Sequence, residues 1–437
     1  MASLVDDAFV SRDGTLHCER VSLATIADHY GTPCWVYSKR MVLDAWAAYD
    51  RAFADHPHLI CYAVKANGNI ALLQQLADAG AGFDIVSIGE LARVLAAGAD
   101  PSRVVYSGVC KTPDDLATAL ARGIRCFNVE SAAELDTLAE LAEQAGVQAR
   151  VALRVNPNIS VDTHPYIATG LSDHKFGIPI GEAPALYRRA GDLTSLQISG
   201  IACHIGSQIR QLDAFASAAS ALVALADELE TKHDIIIDHL DLGGGLGLDG
   251  DDDQRSPGVD AYVKCLVETV NRGRRPREIV IEPGRSIVAE AGVLLTRVHY
   301  VKRNGERTFA LTDAGMNEFL RPALYGAEVP IVPVEEKTAH SELTRCDVVG
   351  PVCESADFIG RDRSLPLAPK MLLAVGEAGA YGASMSSHYN ARPLAAEVLI
   401  DGADVHLVRE RESLEGLMRG EHLAPGTPGS VDAASGG

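Results

Sequence analysis

A two-part unit recurs eight times along the chain, and this repeat constrains the fold more than any other feature. Each unit has a short apolar run that ends in a small or polar residue, followed by an Ala/Leu-rich segment with helical spacing. Continuous apolar runs of this kind are typical of parallel strands that are buried on both faces. The predicted strands are CYAVKAN (61–67), GFDIVS (82–87), VVYSG (104–108), CFNVE (126–130), ALRVNP (152–157), GIACHIGS (200–207), HLDLGGG (239–245) and EIVIEPG (278–284).

Eight such units in about 230 residues predict an α/β fold, a (β/α)8 TIM-type barrel. An open, doubly wound sheet is the alternative, but it would usually carry a GxGxxG turn after its first strand, and none is found there. After about Gly292 the pattern changes to two pairs of strands around Gly-containing turns. These strands predict a C-terminal domain that resembles a β-sandwich or a β-barrel.

The predicted domains follow from this change of pattern. Residues 36–290 form the barrel, and residues 1–35 and 291–420 form the β-rich domain. The first 35 residues are included because they contain short apolar pieces that can add a strand. Residues 421–437 are rich in Gly, Ser and Pro, a composition that predicts a disordered tail.

Charge and cysteine content limit the partners of the chain. A net charge of -20 argues against nucleic acid and anionic membrane as partners. The sequence has no run of about 18 uncharged apolar residues and no apolar segment typical of a signal peptide, so no membrane span is expected. Nine cysteines without a CxxC pair predict neither a disulfide framework nor a metal site, and they favour a cytoplasmic protein.

Ligands of such a barrel bind at the carboxyl ends of its strands. Lys65 lies between apolar neighbours at one of these ends, and burial lowers the pKa of a lysine, which suits covalent chemistry with an aldehyde. The alternative is a lysine that extends its ammonium group into solvent at the rim. The other candidates at strand ends are Asp84, Asn156, His204, Ser207, Gly243 to Gly245, Glu282 and Arg285.

The residues at the ends of the seventh and eighth predicted strands indicate a phosphate site. The turn 243–245 offers backbone N–H groups without side chains to block them, and Arg285 adds a cation. TIM barrels often bind phosphate after strands seven and eight, which is where these motifs lie. Glu282 either faces a cofactor ring or forms a structural ion pair, and His204 either stacks on a flat ring or is a core residue.

Six motifs carry a resemblance that covers most of the chain. They are YAVKAN (62–67), FDIVSIGEL (83–91), HIGSQ (204–208), GGGLG (243–247), EPGR (282–285) and CES (353–355). Together they resemble the pyridoxal-phosphate-dependent decarboxylases of the alanine-racemase fold, in order from about residue 20 to 418. The resemblance implies pyridoxal 5'-phosphate as cofactor, a small amino-acid substrate, and a homodimer with shared active sites.

The resemblance also implies individual roles. Lys65 binds the cofactor covalently, Asp84 lies close to it, His204 stacks on its ring and Glu282 faces its ring nitrogen. Cys353 donates a proton to the carbanion after CO2 leaves. Cys353 and Glu354 are expected to reach the neighbouring subunit's site. The implied phosphate ligands are Ser207, Gly244, Gly245, Arg285 and Tyr381.

Segments outside these motifs resemble diaminopimelate decarboxylases. They are NPNISVDTHPYIATGLSDHKFGI (156–178), MNEFLRPALYGAE (316–328), GPVCESADF (350–358) and GAYGASMSSHYNARPLAAEVLIDG (379–402). This implies conversion of meso-2,6-diaminopimelate to L-lysine and CO2. The distal carboxylate of that substrate calls for an arginine, for which Arg321 is the candidate. The other implied substrate ligands are Tyr325, Glu354, Arg285 and Tyr381.

Two alternatives remain open at this point. One is a decarboxylase of a related basic amino acid such as ornithine, arginine or carboxynorspermidine. The other is a non-catalytic homologue that still binds the cofactor, although such a protein is expected to lose Lys65 or Cys353, and both are present. Cys110 departs from the pattern, because many relatives carry a small or polar residue there, and no role is assigned to it.

Overall fold

The computed structural model describes residues 8–159, 175–249, 255–335 and 342–424. Residues 425–437 of the predicted tail and residues 160–174 of the first diaminopimelate-decarboxylase-like segment lie outside this range.

The described strands are β1 (Phe9–Arg12), β2 (Thr15–Cys18), β3 (Val21–Ser22), β4 (Cys34–Ser38), β5 (His58–Ala63), β6 (Gly82–Ile85), β7 (Val104–Tyr106), β8 (Cys126–Val129), β9 (Ala149–Asn156), β10 (Ile178–Pro179), β11 (Leu196–Ala202), β12 (His239–Asp241), β13 (Glu278–Ile281), β14 (Gly292–Asn304), β15 (Arg307–Thr312), β16 (Ile331–Pro333), β17 (Thr344–Val349), β18 (Phe358–Leu365), β19 (Leu372–Val375), β20 (Ala396–Asp401) and β21 (Asp404–Arg409).

The described α-helices are α1 (Leu23–Tyr30), α2 (Lys39–Phe53), α3 (Ile70–Asp78), α4 (Ile88–Ala96), α5 (Pro113–Ala121), α6 (Ala132–Ala145), α7 (Ala183–Asp192), α8 (Leu212–His233), α9 (Gly258–Val270), α10 (Arg285–Val288), α11 (Arg321–Tyr325) and α12 (Leu414–Leu417). Short 3-10 turns occur at Val64–Ala66, Pro101–Arg103, Ala383–Met385 and Tyr389–Ala391. Among the described residues, none of the helices is both long and apolar enough to cross a membrane.

Eight parallel strands close into a barrel in the order β5-β6-β7-β8-β9-β11-β12-β13, and β13 pairs with β5. The closure confirms the predicted TIM-type barrel and excludes the open-sheet alternative. The strands end earlier than the sequence pattern predicts. For example, β5 ends at Ala63 and a 3-10 turn follows, so Lys65 lies just beyond the strand end.

The barrel helices begin where a side chain can bond the first free N–H groups. Asn69, Ser87 and Ser131 each accept a hydrogen bond from a backbone N–H in the first turn of α3, α4 and α6. The apolar face of α3 packs into the core, and Leu72 is fully buried. Buried apolar side chains fill part of the barrel interior, which leaves the strand ends as the place for a ligand. These side chains are Leu59, Cys61, Val105, Cys126, Ala152, Ala202 and Val280.

The second large sheet is built around the long strand β14, which pairs with β4, β15 and β19. Both predicted strand pairs are confirmed, as β14 with β15 and β20 with β21. β4 lies between β14 and β20, so the chain contributes a strand to this sheet before it enters the barrel. The predicted domain boundary at residue 36 falls inside this strand. Strands β1 to β3 form a separate antiparallel sheet.

Helix α3 offers a test of this core. We expect Leu72→Ala to lower the free energy of unfolding by about 2–5 kcal/mol, because a fully buried leucine leaves a cavity. Ile70→Ala on the same helix is the matched control, because Ile70 is 43% exposed and its truncation should change stability by less than about 1 kcal/mol. Urea unfolding followed by tryptophan fluorescence measures both. Equal losses in the two variants would contradict this packing.

Candidate active site

One small cavity opens at the carboxyl ends of the barrel strands. Its walls come from the ends of β5, β11, β12 and β13 and from the loop after β19. The residues that line it are Ala63, Lys65, His204, Ser207, Gly245, Leu246, Glu282, Gly284, Arg285, Ser286 and Tyr381. Most of the residues predicted to bind the cofactor therefore share one cavity, although they lie far apart in the sequence.

Lys65 is held by a buried carboxylate. Its Nζ donates a hydrogen bond of 2.5 Å to Oδ2 of Asp84, whose side chain is fully buried. Burial alone would lower the pKa of Lys65, but the carboxylates of Asp84 and Glu282 raise it above the ordinary value. The expectation of a lowered pKa is therefore wrong for this structure, because Asp84 stabilises the charged form. Lys65 is an ammonium group that must give up a proton before it can act as a nucleophile.

The triple-glycine turn packs tightly against neighbouring backbone. A Cβ atom on Gly244 would lie 2.2 Å from the carbonyl oxygen of Glu282, and one on Gly245 would lie 2.3 Å from that of Gly206. Gly245 also has a φ of +110°, which favours glycine. The glycines are thus required by close packing, and they bring the backbone of the turn to the wall of the cavity.

His204 is a neutral imidazole. Burial lowers its pKa well below the ordinary value, and the charges of Arg154 and Lys65 lower it further. Its Nδ1 accepts a hydrogen bond of 3.2 Å from the backbone N–H of Gly244, which leaves the ring hydrogen on Nε2. The ring is therefore fixed in orientation at the edge of the cavity and carries no charge that would compete with a cationic group.

Arg285 and its neighbours form the basic end of the cavity. Nη2 of Arg285 donates to Oγ of Ser207 at 3.3 Å, and its guanidinium carbon lies 4.8 Å from the centre of the Tyr381 ring. Within the described structure, the buried Nε of Arg285 has no hydrogen-bond partner. The N–H of Tyr381 donates to the carbonyl of Ala66 at 2.8 Å, which fixes this tyrosine beside the turn that carries Lys65.

Arg321 lies on the first turn of α11, close to Arg285. It is buried, and its Nη1 donates to the carbonyls of Glu377 at 2.8 Å and Ala380 at 3.4 Å. Burial lowers the pKa of Arg321 to about 10, and the positive charge of Arg285 contributes to this shift. Tyr325, on the same short helix, opposes the shift in both arginines. Two neighbouring guanidinium groups form a site that favours an anion.

Cys353 and Glu354 lie elsewhere in the chain. They follow β17 in an exposed loop, where the N–H of Cys353 donates to Oδ1 of Asn390 at 3.0 Å and Glu354 accepts from the hydroxyl of Tyr389. Among the described residues, neither lines the cavity that contains Lys65. The structure therefore does not bring these two residues to the other predicted site residues. Cys110 is also exposed.

A buried polar network below the cavity was not predicted as part of the site. Ser107 donates to Oε1 of Glu282 at 2.9 Å, and Nδ2 of Asn128 donates to Oδ2 of Asp241 at 3.0 Å and lies 3.4 Å from Oε1 of Glu282. All four side chains are buried. Burial raises the pKa of Glu282 well above the ordinary value, and the charges of Asp241 and Asp84 add to this effect. The only signal in the sequence is a polar residue inside an apolar strand, as at Asp241 in HLDL.

The donor set fits pyridoxal phosphate. The cavity combines an amine for an aldehyde, a buried carboxyl group for a basic ring nitrogen, and an arginine beside a glycine turn for a phosphate. Two buried polar atoms, Oδ1 of Asp84 and Nε of Arg285, have no partner within the described structure. Buried polar atoms are usually hydrogen-bonded, so these two indicate where a ligand completes the site.

The comparisons with known proteins agree with this chemistry. Residues 39–289 match the family described as pyridoxal-dependent decarboxylase, pyridoxal binding domain. The chain is 52% identical over 419 residues to the diaminopimelate decarboxylase of Pseudomonas aeruginosa, which covers 96% of this chain and 100% of that protein.

Solved structures extend the similarity to three dimensions. Diaminopimelate decarboxylase from Helicobacter pylori, complexed with L-lysine, has a TM-score of 0.86 at 39% identity, over 91% of this chain and 98% of that chain. The enzyme from M. jannaschii, in co-complex with L-lysine, has a TM-score of 0.90 at 33% identity, over 96% and 98% of the two chains. This chain therefore belongs to the diaminopimelate decarboxylase family of pyridoxal-dependent decarboxylases.

Proposed function

We propose that this protein decarboxylates meso-2,6-diaminopimelate to L-lysine and CO2 with pyridoxal 5'-phosphate as its cofactor. The observation that carries the proposal is the shared cavity, which is lined by Lys65, Glu282 and Arg285 together. Two relatives were crystallised with L-lysine, which is the product that this reaction releases.

The cavity residues divide into three groups according to the part of the cofactor that each would hold. Lys65 would bind the aldehyde carbon covalently, with Asp84 beside it. Glu282 would face the ring nitrogen and His204 would stack on the ring. When bound, pyridoxal phosphate would supply an electron sink for the electrons left behind by CO2. The residues that would hold its phosphate are Ser207, Gly244, Gly245, Arg285 and Tyr381.

Protons in the site are controlled by hydrogen bonds of the chain itself. Asp84 accepts from Nζ of Lys65 and keeps this amine charged until another group takes the proton. Ser107 donates to Oε1 of Glu282 and thereby limits the orientations of that carboxyl group. The neutral His204 offers a flat surface without a charge. These contacts prepare the cavity before a substrate enters.

The adjacent guanidinium groups favour a substrate with a distal carboxylate. Arg321 is buried and close to Arg285, so a carboxylate between them would relieve their repulsion. The side chains of ornithine and arginine would bring a further positive charge to the same place, which is unfavourable in a buried site. Tyr325 and Tyr381 can donate hydrogen bonds to the same carboxylate.

We also propose a homodimer in which each site is completed by the partner. Cys353 and Glu354 are exposed and lie outside the cavity of their own subunit, as expected of residues that act in a neighbouring site. Cys353 of the partner subunit would donate a proton to the carbanion, and Glu354 of the partner subunit would bind the distal ammonium group.

The nine free thiols fit a reducing cytosol.

The substrate assignment can be tested by CO2 release. Purified holoenzyme is offered meso-diaminopimelate, L-lysine, L-ornithine and L-arginine in parallel. We expect turnover of meso-diaminopimelate alone, because the two guanidinium groups require a distal carboxylate. Turnover of ornithine without turnover of diaminopimelate would overturn the assignment.

Arg321→Met is the matching variant for this test. We expect kcat/KM for diaminopimelate to fall roughly 30-fold or more, because loss of one partner of a buried charge pair costs about 2–5 kcal/mol. Bound cofactor, measured by its absorbance, should remain at the wild-type level. An unchanged kcat/KM would remove Arg321 from the substrate site.

The covalent role of Lys65 can be tested by borohydride reduction. We expect the reduced wild-type holoenzyme to carry the phosphopyridoxyl group on Lys65 in mass-spectrometric peptide maps. Lys65→Ala should lose both this adduct and the visible absorbance band. Lys39→Ala is the control, because Lys39 pairs with Asp401 outside the cavity and its loss should leave both signals unchanged. A main adduct on another lysine would refute the role.

The shared site can be tested by mixing subunits. We expect Lys65→Ala and Cys353→Ala homodimers each to have low turnover, with cofactor still bound in the cysteine variant. An equal mixture that exchanges subunits should regain about a quarter of wild-type activity, because half the dimers are then mixed and have one intact site. Cys110→Ala, another exposed cysteine, is the control and should keep full activity. If the mixture regained no activity, the shared-site proposal would fail.

A further inference from the structure

Three carboxyl groups lie close together at the carboxyl ends of the barrel strands. Asp84 and Asp241 are fully buried, and Glu282 is 8% exposed. Lys65 bonds Asp84, so this ammonium group cannot neutralise all three carboxylates. Because like charges in a buried site disfavour each other, the cluster retains at least one proton.

Asp241 lies beneath the cavity and outside its lining. It is the last residue of β12, between β11 and β13 in the barrel. Its Oδ1 accepts from the N–H of Gly243 at 3.0 Å, and its Oδ2 accepts from Nδ2 of Asn128 at 3.0 Å. Both oxygens are therefore fixed, and the side chain can influence a ligand in the cavity only through its neighbours and its charge.

Two hydrogen-bonded side chains connect Asp241 to Glu282. Because the Asp241 carboxylate accepts from Nδ2 of Asn128, the amide group of Asn128 presents its N–H atoms to the network. The same nitrogen lies 3.0 Å from Oγ of Ser107 and 3.4 Å from Oε1 of Glu282. With its oxygen accepting from Asn128, Ser107 uses its own hydrogen for Oε1 of Glu282 at 2.9 Å. The carboxylate of Asp241 thus sets which atom donates and which atom accepts in each of these hydrogen bonds.

We propose that Asp241 is a positioning residue that keeps a proton on the ring nitrogen of the bound cofactor by acting through Glu282. The inference rests on the proposed function, in which Glu282 faces that nitrogen. The carboxylate of Asp241 fixes the donors on Glu282 and adds a second negative charge below the ring. Both effects stabilise the protonated, positively charged ring, which is the better electron sink.

The ionisation of the cluster is consistent with this role. Burial raises the pKa of Asp241 to about 6, whereas the hydrogen bonds from Gly243 and Asn128 favour the carboxylate form. Its charge also contributes to the raised pKa of Glu282, which makes Glu282 a stronger base. The other titratable or charged groups that face this pair from the surrounding elements are Cys61, Lys65, Asp84, Arg154, Cys203 and Tyr262.

The ring nitrogen itself provides the test. Holoenzyme is reconstituted with pyridoxal phosphate labelled with 15N in the ring, and the 15N chemical shift is followed across a pH titration. We expect Asp241→Asn to move the shift towards that of the unprotonated ring and to lower the titration midpoint. We also expect kcat to fall roughly 10- to 100-fold, the loss seen when outer hydrogen-bond partners of active-site ligands are removed.

Two further variants separate this role from a structural one. Asn128→Leu removes the hydrogen bonds that run through Asn128 and leaves the charge of Asp241 in place, so it should lower the midpoint by a smaller amount, and it provides the test if Asp241→Asn does not fold. Asp313→Asn is the control, because this carboxylate accepts hydrogen bonds from the hydroxyls of Thr32 and Thr296, away from the cavity. It should leave the 15N signal unchanged.

Glu282→Gln distinguishes failure of this inference from failure of the proposed function. If Glu282→Gln moves the 15N shift and neither Asp241→Asn nor Asn128→Leu does, the role of Asp241 is wrong and the contact of Glu282 stands. If Glu282→Gln leaves the shift unchanged, Glu282 does not face the nitrogen, and the inference falls with that part of the proposed function.

Discussion

The pairing of β13 with β5 is the constraint on which the site depends. In this parallel register Ile281 lies opposite Ile60, and the N–H of Ala63 donates to the carbonyl of Pro283 at 3.0 Å just beyond the strand ends. The first and last strands of the barrel therefore end at the same rim. Lys65 and Glu282, which follow these two strands, face one cavity only because the barrel closes. An open sheet would place them on opposite edges.

Closure also brings opposite charges to one cavity. Glu282 and Arg285 line the same cavity, and Asp84 and Asp241 are buried carboxyl groups close to Glu282. A ligand with a basic ring nitrogen and an anionic phosphate would match this combination of charges. The chain as a whole has a net charge of -20, so the positive charge at this cavity is a local property of the fold.

Much of the fold could be predicted because strands, helices and turns leave local periodic signals in the sequence. The phosphate site could be predicted because each of its motifs is a contiguous stretch of the sequence. The raised pKa of Lys65 could not be predicted, because it depends on the carboxylate of Asp84. This carboxylate reaches Nζ of Lys65 only through the pairing of β5 with β6. The network through Asn128 was missed for the same reason: its partners come from distant strands. The predicted division at residue 36 falls inside β4, because a short apolar run does not show at which residue its strand ends.

The neighbouring arginines link specificity to stability. Arg321 is buried and next to Arg285, and its lowered pKa of about 10 still leaves it charged at neutral pH. The charges of the buried Arg321 and the half-buried Arg285 repel each other, and an anion that binds between them would reduce this penalty. A ligand that binds only the folded state raises the free energy of unfolding by mass action. An anion bound at these arginines would therefore stabilise the folded protein. Under the proposed function, a distal group that lacks a carboxylate leaves this repulsion in place and is disfavoured by electrostatics.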